Sequence, residues 1–156
     1  MLIQIPAAEG TAEALVARPS TGEGPFPGVI LYMDAFGLRP RIEVRTATAH
    51  PEVVAACGGF HGGGLATDEP DSPHRGLSKA TAEFVFGHAD HDQSMGPGAV
   101  ARLGEALKAA GLKASNEVYH GASHGYSMAD TSAFHEEATE RHFRELRALL
   151  GRTLKG

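Results

Sequence analysis

The stretch "YHGASHGYSM" (119–128) contains Gly121-Ala122-Ser123-His124-Gly125, which fits the acyl-transfer pattern G-x-S-x-G letter for letter. In that pattern a serine on a strained strand-to-helix turn attacks a carbonyl carbon. Ser123 meets only part of the requirement. It follows a strand-like segment, but "YSMADT" separates it from the next helix start, at Ser132. His124 is its immediate neighbour, and adjacent residues in an extended turn point apart, so this imidazole is poorly placed to deprotonate that hydroxyl. The chain order is also wrong, because the acid and the histidine should both follow the serine. His124 is the stronger candidate. It lies between the last predicted strand and the last predicted helix, and "FGHAD" (86–90) ends the strand before. An aspartate after one strand and a histidine after the next are placed as the acid–base half of a hydrolytic triad would be, which makes Asp90 and His124 candidates.

These side chains need a scaffold that brings strand ends together. Two short strands are predicted at 2–5 and 12–17 around Glu9-Gly10, followed by the Pro/Gly-rich loop "RPSTGEGPFP" (18–27). "GVILYM" (28–33), "VVAACGGF" (53–60) and "AEFVFG" (82–87) are apolar runs of the kind buried on both faces of a parallel sheet, and "SNEVYH" (115–120) is a further strand. Helices are predicted at 40–49, at 97–110 with Pro97 first and Gly111 after its end, and at 132–150. The charges of "EEATERHFRELR" (136–147) form the solvated face of the last helix. Alternating strands and helices imply one α/β domain over 1–156, with a mainly parallel sheet of about six strands and helices on both faces. Chemistry in such sheets sits beyond the carboxyl ends of the strands.

Composition limits the partners. The net charge is −5, the isoelectric point is about 6.0 and no basic face is evident, which excludes a nucleic-acid partner. No window approaches 18 apolar residues, so no membrane span is expected. The N-terminal "MLIQIPAAEG" lacks the basic and apolar regions of a signal peptide. Cys57 is the one cysteine, which rules out a disulfide within the chain and points to a reducing, cytoplasmic setting. Cys57 is a weak nucleophile candidate, since a cysteine within a buried strand usually acts as a small hydrophobe. His61-Gly62-Gly63-Gly64 follows the wrong strand for a lipase-type oxyanion turn, and His61 is expected to line a pocket. His88, Asp90, His91 and Asp92 crowd one loop, with His61, His120 and His124 on neighbouring strand ends, so a metal-dependent hydrolase is an alternative. No fixed ligand spacing supports it, and neither a metal nor a cofactor is expected.

The segments "PFPGVILYMDAFGL" (25–38), "HPEVVAACGGFHGGGL" (50–65), "FGHADHDQSM" (86–95) and "YHGASHGYSM" (119–128) together resemble, in order, the dienelactone hydrolase family of the α/β-hydrolase fold. The resemblance implies hydrolysis of a small-molecule carboxylic ester or lactone, with His124 as base and Asp90 as its orienting acid. It also implies an oxyanion turn at Asp34, Ala35 and Phe36, with the Ala35 N–H as a donor. One block of the family is missing. Between that turn and "HPEVVAA" the family carries a strand, a helix and the strand that ends in the nucleophile elbow. Here "GLRPRIE" (37–43) runs straight into "VRTATAHPEV" (44–53), with the join near Glu43–Val44. The expectation is a reduced three-layer sheet with a chimeric helix at about 39–49 and no nucleophile at the usual place. Weak or absent activity and self-association through uncovered apolar surface follow. The alternative from another class is a non-catalytic binding or oligomerising module.

Overall fold

The computed structural model describes residues 1–31 and 42–154. Its centre is a parallel sheet of three strands in the order β3–β4–β5: β3 is Ala56–Phe60, β4 is Glu83–Ala89 and β5 is Ala114–Tyr119. The register runs from Ala56 opposite Glu83 to Phe60 opposite Gly87, and from Phe84 opposite Ala114 to Ala89 opposite Tyr119. β1 (Leu2–Ala7) and β2 (Gly10–Leu15) form a separate antiparallel hairpin. Gly28–Leu31, the described part of the predicted strand "GVILYM", joins neither sheet. The described residues therefore hold five strands in two sheets, where one sheet of about six was expected.

Three helices flank the parallel sheet: α1 (Ile42–Ala49), α2 (Pro97–Ala109) and α3 (Glu136–Thr153). One helix thus runs unbroken through Glu43 and Val44, where a join was expected. Period-two alternation sorts the side chains of β4. Phe84, Phe86 and His88 stack in a ladder on one face, with ring centroids 5.7 and 6.0 Å apart. That face packs with Val44 and Ala47 of α1 and with Leu103 and Leu107 of α2. The opposite face carries Ala89, Tyr119, Tyr126 and Phe60 beneath α3. Gly87 has to be glycine here, because a Cβ would come within 2.6 Å of the Tyr119 ring and 2.8 Å of Phe60.

The helix ends follow local rules. Pro97 opens α2, and Gly111, at φ 67°, lets the Leu112 N–H reach back to the Leu107 carbonyl at 3.1 Å. α3 begins four residues later than the serine at 132 suggested. The His135 Nδ1 caps it, accepting from the Ala138 N–H at 3.2 Å. The His135 N–H and the Thr139 hydroxyl both donate to the Tyr126 carbonyl, tying the helix start to the loop after β5.

Candidate active site

Adjacent parallel strands bring three loops together: His61–Gly64 after β3, the loop from Asp90 to Met95 after β4, and His120–Met128 after β5. The central contact is between His124 Nδ1 and Asp92 Oδ2, at 2.7 Å. Asp92 caps a 3₁₀ turn, Gln93–Met95. Its Oδ1 accepts from the Ser94 N–H at 2.8 Å and from the Ser94 hydroxyl at 2.6 Å. The Asp92 side chain is 4% exposed, and that of His124 is 49% exposed. Burial pushes the Asp92 carboxyl up, but His124 and both Ser94 donors outweigh it and hold it below the usual carboxylate range. The Asp92 carboxylate thus holds the imidazole by Nδ1, and His124 Nε2 makes no hydrogen bond to any described residue.

The expected pairing of Asp90 with His124 is corrected by this geometry. β4 runs on to Ala89, two residues past the predicted strand end, so Asp90 opens the turn. Its N–H donates to the Ala122 carbonyl at 2.8 Å, and its Oδ2 accepts from the Gly121 N–H at 2.9 Å. The Gly121 N–H holds the Asp90 carboxyl below its ordinary range, with His120 and His91 adding to this. Asp92, two residues on, points back towards His124. The spacing of two in Asp90-His91-Asp92 was the available signal, and the end of the strand decides between them.

His61 lies beside this pair. Its Nε2 is 2.9 Å from Ser127 Oγ, and its ring stands edge-on to His124 and Tyr126 at 5.4 and 4.9 Å. It adopts φ 41°, and its N–H donates to the Gly87 carbonyl at 2.8 Å. The glycines after it let the loops close: a Cβ on Gly63 would overlap Ser94 Oγ, and the Gly64 N–H donates to the Ser94 carbonyl at 2.8 Å. Nothing in the sequence singles out Ser127, since a serine three residues past a candidate histidine carries no pattern of its own.

The remaining candidates are dispersed. Asp34, Ala35 and Phe36 lie outside the described residues. Ser123 is exposed and followed by turns up to α3, so the strand–turn–helix context of an elbow is lacking. Cys57 is buried, and burial followed by the Glu43 charge pushes its thiol pKa up, away from thiolate. His88 is buried in the core face and shares a hydrogen bond with Asn116 Oδ1 at 2.8 Å, and Asn116 in turn donates to the Val100 carbonyl. It therefore faces away from the loop it was grouped with. Among the described residues no three His, Cys, Asp or Glu side chains are disposed to hold a metal ion, and no helix is long and apolar enough to cross a membrane. A concavity of about 590 Å³ lies at the opposite end of the sheet, lined by Ala55, Thr81, Glu83 and Lys113 among others. Glu83 is already paired there with Lys113 and Arg152, so this cleft offers no comparable acid–base pair.

The model of the dienelactone hydrolase family matches residues 40–154. Among solved structures, a protein of Klebsiella pneumoniae subsp. pneumoniae MGH 78578, provisionally designated a dienelactone hydrolase, has a TM-score of 0.65 at 22% identity. The match covers 72% of this chain and 48% of that one. A structure designated m3DLH has a TM-score of 0.61 at 13% identity, over 74% and 49% of the two chains. The chain thus spans about half the length of these structures. No curated protein matches it.

Proposed function

Since the chain belongs to the dienelactone hydrolase family, we propose that it hydrolyses small carboxylic esters or lactones, with His124 as general base and Asp92 as the residue that orients it. The observation that carries this reading is the 2.7 Å contact between His124 Nδ1 and the buried Asp92 carboxylate at the carboxyl edge of the sheet. His124 Nε2 then takes a proton from the attacking water as it adds to the carbonyl carbon, and later returns it to the leaving oxygen. The Asp92 charge stabilises the imidazolium formed in between.

We read the sequence as lacking the family's nucleophile-bearing block. The reading therefore includes a rate roughly 10⁴ to 10⁶ below that of an intact triad, the scale of loss when a triad is broken. The test is turnover of p-nitrophenyl acetate and of a small lactone, with and without a chelator. Slow, chelator-insensitive hydrolysis lost in His124→Ala supports the reading. Chelator-sensitive hydrolysis would favour a metal-dependent reaction, and no hydrolysis above background would favour a non-catalytic module.

A further inference from the structure

We propose that Ser127 is an acyl-accepting nucleophile, with His61 as its general base. The proposal rests on the hydrolase reading above and puts a serine oxygen in place of the attacking water. Ser127 Oγ lies 2.9 Å from His61 Nε2, within the reach a nucleophile and its base require.

The backbone of His61 is a second, independent observation. Among the described residues His61 is the non-glycine residue with positive φ, at 41°. Such a conformation is disfavoured for a residue with a Cβ and persists only where the surroundings over-determine it. Here the His61 N–H and the buried Tyr126 hydroxyl both donate to the Gly87 carbonyl, at 2.8 and 3.3 Å. Tyr126 also stands edge-on to the His61 ring. A serine that merely satisfied a surface imidazole would need none of this. The third observation is position. The His61 and His124 rings meet edge-on with centroids 5.4 Å apart, so Ser127–His61 and His124–Asp92 lie side by side at the sheet edge.

The chemistry balances with an ester and water alone. Ser127 Oγ bonds to the carbonyl carbon as its proton passes to His61 Nε2. The tetrahedral adduct collapses, the bond to the alkoxy group breaks, and the departing alkoxide takes that proton. Water, deprotonated by His124 Nε2, then attacks the acylated Ser127. The acid is released, and the serine oxygen recovers a proton from His124.

The experiment is acylation of the full chain with p-nitrophenyl acetate and, separately, phosphonylation with a fluorophosphonate. Each is quenched in acid and mapped by peptide mass spectrometry, with turnover measured in parallel. The expected result is an adduct on Ser127, absent in Ser127→Ala and retained in Ser123→Ala. His61→Ala should slow its formation by about 10²-fold, the scale of a lost general base. Mapping of the unaltered protein decides the matter even where a variant fails to fold. Turnover without an adduct on Ser127 overturns this assignment and leaves the hydrolase reading standing. Neither turnover nor adduct overturns both.

Discussion

At the scale of single residues, the sequence drew attention to His124 but not to the carboxylate that meets it. His124 stands out because it follows the last strand of an α/β pattern. The acid is displaced by two positions because β4 extends to Ala89 and turns Asp90 towards the Gly121 N–H. Sequence periodicity locates a strand but not its last residue, and in a loop with two aspartates that residue decides which one reaches the imidazole. The same scale separates the two weak nucleophile candidates from the site. Cys57 is buried with its thiol held protonated, and Ser123 is exposed on a run of turns. Cys57→Ala and Ser123→Ala should each leave p-nitrophenyl acetate turnover within about twofold of the unaltered chain, since neither side chain is activated. A loss of activity in either, with the circular dichroism spectrum unchanged, would return that residue to the mechanism.

At the scale of elements, the helices and three parallel strands follow their sequence signals closely, because apolar runs, Pro97 and Gly111 act locally. The late start of α3 was not legible. It depends on the Tyr126 carbonyl, which takes the His135 N–H and the Thr139 hydroxyl from across the loop. α3 also presses His142 flat on Phe60, with centroids 3.7 Å apart, and leaves His142 Nδ1 buried without a partner among the described residues. Burial, with some help from His61, lowers the His142 pKa from 6.5 to about 4. Its folded pKa lies below its unfolded value, so protonation favours the unfolded chain. The associated stability is complete above pH 6.5, falls away between pH 6.5 and 4, and changes no further below that. His88 and His74 are lowered in the same direction and add to the acid sensitivity. His142→Phe should therefore flatten the decline of the unfolding midpoint over this window and stabilise the fold at neutral pH by about 1 kcal/mol, by removing a buried unpaired polar atom. A pH profile parallel to that of the unaltered protein would show that His142 is solvated.

At the scale of the whole molecule, one apolar run stands uncovered among the described residues. Val29, Ile30 and Leu31, from a segment with the pattern of a buried strand, are 52%, 73% and 78% exposed. Whether such a run is covered depends on a neighbouring strand, which the run itself does not reveal. Contiguous apolar side chains of this kind favour association. Sedimentation should show mass rising with concentration, and Ile30→Lys with Leu31→Lys should shift the equilibrium towards monomer. A chain that is monomeric at every concentration would remove self-association from the account.

The central claim is that Asp92, rather than Asp90, orients the catalytic imidazole. The most direct test compares p-nitrophenyl acetate hydrolysis by Asp92→Asn and Asp90→Asn at neutral pH, with both folds verified. The account predicts a loss of about 10²-fold or more in Asp92→Asn, where the anion on Nδ1 disappears, and little change in Asp90→Asn. Full activity in Asp92→Asn with a collapse in Asp90→Asn would contradict it and return the role to Asp90.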